Sequence, residues 1–173
     1  MKHIFFPALL LMTISVFAQD SSNLLKNSDF SKLSGKVPAL WQCVFPAANC
    51  NINTAEDGKK YLSLTKNNKK SPCMLIQRNL QLDNGKKYLF ACEVQSGKDE
   101  SKAMIYIEWR TTGKNGKAIH ASVNAREFSL SEEWSDCAFE IPVRSSNSEK
   151  PYLVISVTAG SLNIRNLQLI EVK

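Results

Sequence analysis

Histidine is nearly missing from this chain, with two among 173 residues. His3 belongs to the N-terminal leader, so His120 stands alone in the rest, within a polar stretch that reads as a loop. A Ser-His-Asp arrangement needs a histidine oriented by a carboxylate and set beside a nucleophile, and nothing around His120 marks such partners. Gly-x-Ser-x-Gly, His-Glu-x-x-His and phosphate-binding glycine loops are also lacking. Glycoside hydrolysis would need two carboxylates facing each other across a cleft. Glu93, Glu108 and Glu140 fall instead on the polar faces of expected strands, where acids serve solubility. No catalytic residue is assigned.

Long apolar runs are absent beyond the leader. Residues 1–18 carry Lys2 and His3, an apolar run from Ile4 to Phe17, and the ending Val16-Phe17-Ala18, which supplies the small residues a signal peptidase needs. The run is too short to span a bilayer and polar Gln19-Asp20-Ser21-Ser22 follows at once. The expectation is a signal peptide over 1–18 and one domain over 19–173, in a secreted, periplasmic or extracellular protein that makes no membrane contact after cleavage.

Clustered charge is lacking too. The net charge is +6, but the lysines sit in turns (Lys59-Lys60, Lys69-Lys70, Lys86-Lys87) and are not interleaved with aromatics on one element. That pattern gives a solvated basic surface and no nucleic-acid footprint.

There is no Cys-x-x-Cys among the five cysteines, which removes a zinc knuckle or a thioredoxin-like site. Export permits disulfides, and an odd count leaves at least one thiol outside any internal bridge. Cys43 and Cys50 flank a short loop suited to a local staple. Cys92 and Cys137 fall on the apolar faces of expected strands, either as a buried bridge or as two small core residues. Cys43 with Cys50 and Cys92 with Cys137 are the expected pairs.

What is present is a period of two. "KKYLFACEVQ" puts Tyr88, Phe90, Cys92 and Val94 on one face, and the alternation returns in "AMIYIEWRT", "DCAFEIPV" and "YLVISVTAG". Turn signals separate these runs at 56–59, 83–86, 113–116 and near 145. No helical stripe follows the leader. The chain therefore reads as all-β, an antiparallel sandwich.

"NLLKNSDFS" followed by Pro38 and Trp41 resembles the N-terminal strand of carbohydrate-binding modules of the family 4 and 9 type. "IQRNLQLDNGKKYLFACEV", "EFSLSEEWSDCAFEIPV" and "SLNIRNLQLIEV" resemble that family's later segments in the same order. The resemblance implies a galactose-binding-domain-like jelly roll, with an N-terminal strand paired to the C-terminal one and Phe30 and Trp41 as core plugs. Most of Tyr61, Tyr88, Phe90, Phe128, Trp134 and Phe139 are assigned to the core as well, which leaves few free aromatics. The resemblance also implies a poly- or oligosaccharide as partner, with a structural or protein-interaction jelly roll at the cell surface as the alternative. The family's last strand usually supplies an Asp to a structural calcium. Here Ile164-Arg165-Asn166-Leu167 stands in its place, and a guanidinium opposes a dication, so no metal and no other cofactor is expected.

A sugar site needs an aromatic platform flanked by planar polar groups. In "MIYIEWR", Met104, Tyr106, Glu108 and Arg110 share one face and Ile105, Ile107 and Trp109 the other. With the apolar triplet in the core, Tyr106 is the expected platform and Glu108 and Arg110 the hydroxyl partners.

Overall fold

The structure is a computed structural model that describes residues 23–44, 50–66, 73–83, 85–97, 101–112, 118–142 and 151–172. The expected signal peptide and the turn signals at 113–116 and near 145 lie outside the described residues. Among the described residues there are twelve strands and no helix. They are β1 (Leu33–Ser34), β2 (Val37–Pro38), β3 (Gln42–Val44), β4 (Cys50–Thr54), β5 (Lys60–Thr65), β6 (Cys73–Gln77), β7 (Lys87–Ser96), β8 (Lys102–Thr112), β9 (Ala118–Ser129), β10 (Ser135–Pro142), β11 (Tyr152–Ala159) and β12 (Ser161–Val172).

β1 and β2 form a small ribbon. The other ten make two five-stranded sheets, ordered β10-β7-β12-β5-β4 and β3-β6-β11-β8-β9, with every pairing antiparallel. This is the expected jelly-roll sandwich. Alternate side chains on each strand point to opposite faces, and the inward sets meet between the sheets. Ile105, Ile107, Leu153, Ile155 and Val157 come from one sheet; Leu62, Leu64, Phe90, Leu162 and Leu169 come from the other, all with no exposure. Trp109 is buried with them, as the alternation of β8 requires.

Two glycine turns show what the loops must do. At 56–59 the expected turn closes with Gly58 N–H donating to Ala55 C=O at 2.9 Å. Gly160 alone joins β11 to β12 and so carries the chain from one sheet to the other. Its φ is +63°, and a Cβ there would meet Ser101 Oγ at 2.2 Å and Ser101 Cα at 2.9 Å, so only glycine fits.

The N-terminal segment departs from expectation. Residues 25–29 are a bend and a turn rather than a strand, because Asn27 and Phe30 take φ of 51° and 55°, which no strand accommodates. The segment still docks on the last strand: Leu24 N–H donates to Leu169 C=O at 2.8 Å, and Asn23 bridges Leu167 C=O and Leu169 N–H. Phe30 and Trp41 are core plugs as expected, buried edge to face with centroids 5.9 Å apart. Tyr88, Phe90 and Phe139 are also inside and Phe128 packs against the core, but Tyr61 and Trp134 are not. They meet edge to face at 5.5 Å beside Gln95 and Arg165, whose register places them on the outer side of the β10-β7-β12-β5-β4 sheet. His120, expected in a loop, belongs to β9 opposite Arg110; its side chain lies outside the described residues.

Candidate functional site

The outward face of the β3-β6-β11-β8-β9 sheet is a grid set by strand register. One row runs Gln42, Ile76, Val154, Tyr106. The next on one side runs Val44, Met74, Ser156, Met104, Glu127. On the other side Tyr152 stands opposite Glu108, with Arg78 just past the end of β6. Ile76, Tyr152 and Val154 are buried on this face and form a second apolar cluster, against which Val44, Met74 and Tyr106 pack. Central strand β11 is therefore apolar on both sides, although only one side faces the sandwich core.

Tyr106 is half-buried beside Val154, where burial and, secondarily, the Glu108 charge raise the pKa of its phenol. A neutral hydroxyl that both donates and accepts is thus retained. Tyr152 donates its hydroxyl to Glu108 Oε1, which orients that carboxylate along the face. The Arg78 guanidinium lies 5.2 Å from the Tyr152 ring centroid, and its Nε donates to Gln42 Oε1 at 2.9 Å. Tyr106 and Glu108 thus share the outer face as their spacing requires, while the Arg110 side chain lies outside the described residues. Tyr152, Arg78 and Gln42 were not singled out from the sequence. The alternation in "YLVISVTAG" does put Tyr152, Val154 and Ser156 on one face, but only the register shows that this face is Tyr106's.

Arg165 stands on the other sheet, 6% exposed. Its Nε donates to Glu93 Oε2 at 2.6 Å and its Nη1 donates to both oxygens of Asp57 at 3.0 and 2.9 Å. The guanidinium also lies 4.1 Å from the Trp134 ring centroid, and Asn166 Nδ2 donates to Glu93. Arg165, which stands where the family's last strand usually supplies an Asp, thus places a fixed cation between Glu93 and Asp57. Among the described residues no group of three His, Cys, Asp or Glu side chains is arranged for a metal ion, and this donor set does not fit calcium.

All five cysteines carry thiols, so the expected bridges are not present as bonds. The expected partners are nevertheless together: Cys92 and Cys137 face each other across β7 and β10, and Cys43 contacts Cys50. Cys73 was missed; it touches Cys43 as well. Hydrogen bonds from Cys50 and then Cys73 lower the Cys43 pKa. The same bonds and burial raise the other two.

Comparison with known proteins agrees with this architecture. Among curated proteins none matches. The CBM22-1 xylan-binding domain of Paenibacillus barcinonensis Xyn10C has a TM-score of 0.60 at 12% identity, covering 84% of this chain and 92% of that one. A structure titled "CBM4 structure and function" has a TM-score of 0.57 at 14% identity, covering 85% and 99%. TmCBM61, solved in complex with β-1,4-galactotriose, has a TM-score of 0.58 at 16% identity, covering 88% and 100%. At these identities the likeness is one of fold. A family model described as "Carbohydrate binding domain" matches residues 22–161, most of the chain, and this protein therefore belongs to that family of carbohydrate-binding domains.

Proposed function

We propose that this chain binds a poly- or oligosaccharide on the outer face of the β3-β6-β11-β8-β9 sheet, without catalysis, after export and removal of residues 1–18. Family membership supports a carbohydrate ligand. The observation that carries the choice of face is the apolar cluster of Ile76, Tyr152 and Val154, covered in part by the half-buried ring of Tyr106. That cluster is itself buried, with Ile76, Tyr152 and Val154 at 5%, 3% and 1% exposure, so it is a packed bed that holds the Tyr106 ring, whose uncovered side offers a pyranose an apolar surface while leaving the hydroxyls to polar neighbours. Tyr106 is the stacking platform, with Glu108 and Arg110 as hydroxyl partners. The Tyr152 hydroxyl holds Glu108 in a single orientation, so less side-chain freedom is lost on binding.

Glycan-array binding by the purified protein, compared with Tyr106→Ala, tests this reading. Binding that drops in the variant while the melting temperature holds is the expected result. Silence of the wild-type protein across neutral and acidic glycans overturns it. The intact mass of the exported protein, expected to begin at Gln19, tests the leader.

A further inference from the structure

The Tyr106 row runs across the sheet through Val154 and Ile76 to Gln42. Beyond Ile76 the face opens into a cleft of about 270 Å³, just below the roughly 300–1,000 Å³ of sites for larger ligands and suited to a single sugar residue. Its charge is one-sided. Lys26 and Arg78 line it, and no carboxylate does. Two larger clefts carry both signs: Asp29 and Glu93 with Lys59 in one, Glu56 and Asp57 with Arg165 in the other. Among the described residues neither Lys26 nor Arg78 forms an ion pair with a carboxylate.

Both cations are mounted on ordered supports. Gln77, only 3% exposed, accepts from Lys26 N–H at 2.9 Å and donates to Lys26 C=O at 2.6 Å. Trp41 Nε1 donates to the same carbonyl at 3.2 Å. A buried amide and an indole thus fix the point from which the Lys26 side chain leaves. Arg78 is placed over Tyr152, and its Nε is engaged by Gln42, so its terminal nitrogens remain for a ligand. Leu40 forms an apolar wall of the same cleft. Among the described residues it is the most exposed of the large hydrophobic side chains, at 65%, and its φ of 70° is costly for a leucine. An exposed apolar group held in a costly conformation beside two unpaired cations is arranged for a ligand with an apolar ring face and a negative charge.

We propose that this cleft is a subsite for an anionic sugar residue, carrying a carboxylate or a sulfate, within a polysaccharide whose neighbouring residues lie on the Tyr106 face. Lys26 and Arg78 take the anion, Leu40 packs against the ring, and the Gln42 amide reaches a hydroxyl. The strand spacing places the cleft roughly 10 Å from Tyr106, a few sugar residues along a chain. The proposal rests on the carbohydrate-binding reading above and adds the charge class of the ligand.

The test compares the wild-type protein with Lys26→Gln/Arg78→Gln, and with Lys36→Gln/Lys60→Gln, which removes equal charge outside the cleft. The probes are polygalacturonate, a sulfated galactan and a neutral galactan, at near-physiological salt so that non-specific attraction is screened. The cleft variant is expected to lose about tenfold or more in affinity for an anionic glycan relative to the neutral one, and the control less than about twofold. Polygalacturonate and the sulfated galactan identify which anion is read. Equal losses in the two variants, no loss in either, or wild-type binding confined to the neutral galactan overturn the subsite and leave the Tyr106 face standing. Failure of the wild-type protein to bind any of the three probes overturns the subsite, and silence on the wider glycan array overturns the face as well.

Discussion

Arg165 and Glu93 are cross-strand partners on β12 and β7, joined by a 2.6 Å hydrogen bond from Nε to Oε2 with both side chains largely buried. The same guanidinium reaches Asp57 in the turn between β4 and β5, so one side chain ties the middle of the sheet to its edge turn. Arg165→Met leaves Glu93 without its main counter-charge. A fully buried pair broken on one side costs about 3–5 kcal/mol, and the exposure of Asp57 reduces the expected loss here to about 2–3 kcal/mol. Urea unfolding measures it; a change below about 0.5 kcal/mol would refute the clamp.

Asp57 gives that clamp a pH dependence. Its carboxyl is held below the ordinary carboxylate range, chiefly by the Lys59 backbone N–H and then by the Arg165 and Lys59 charges. A folded pKa below the unfolded one contributes stability that is present above the unfolded value and is lost as pH falls through the folded value. Melting temperature therefore declines on acidification below the ordinary carboxylate pKa. The decline from this source is smaller in Arg165→Met, and parallel curves for the two proteins would count against the assignment.

Calcium adds little to the fold if Arg165 already holds the nearby carboxylates. A chelator is expected to leave the melting temperature of the wild-type protein unchanged. A large drop would mean that other oxygens, around Asp29, bind the ion.

Tyr106 and Trp109 lie on opposite faces of β8, and their alanine variants separate binding from stability. Tyr106→Ala removes the platform and weakens glycan binding by about 1–3 kcal/mol, the range for aromatic stacking on flat ligands, with the fold kept. Trp109→Ala truncates a side chain 4% exposed in the core and costs about 3–5 kcal/mol of stability. Equal destabilisation by both, with binding untouched by Tyr106→Ala, would make β8 purely structural.

Oxidation is expected to bridge Cys92 to Cys137 and Cys43 to Cys50, with Cys73 as the competitor for Cys43. Peptide mapping of the oxidised protein reads the outcome. Cys50→Ser shifts the bridge to Cys43–Cys73, and Cys73→Ser leaves Cys43–Cys50 intact. A map of wild-type protein in which Cys50 stays reduced and Cys73 is bridged contradicts the preferred pair.

Alternation along single strands is a local property, and it was legible in the residues: the all-β class, the inward Ile105, Ile107 and Trp109, and the outward Tyr106 and Glu108; the burial of Phe30 and Trp41, which lie outside the strands, was implied by the family resemblance. Pairings between distant strands were not legible, because many registers satisfy the same alternation equally well. Tertiary structure alone set Tyr152 beside Glu108, brought Cys73 to Cys43, turned Tyr61 and Trp134 outward and gathered Lys26 and Arg78 around one cleft. The N-terminal segment shows the same division. The family resemblance foretold the burial of Phe30 and Trp41, but the turns follow from positive φ at Asn27 and Phe30, and the docking depends on Lys26 meeting Gln77 of β6 and Asn23 meeting Leu167 of β12, each more than 50 residues away in the chain.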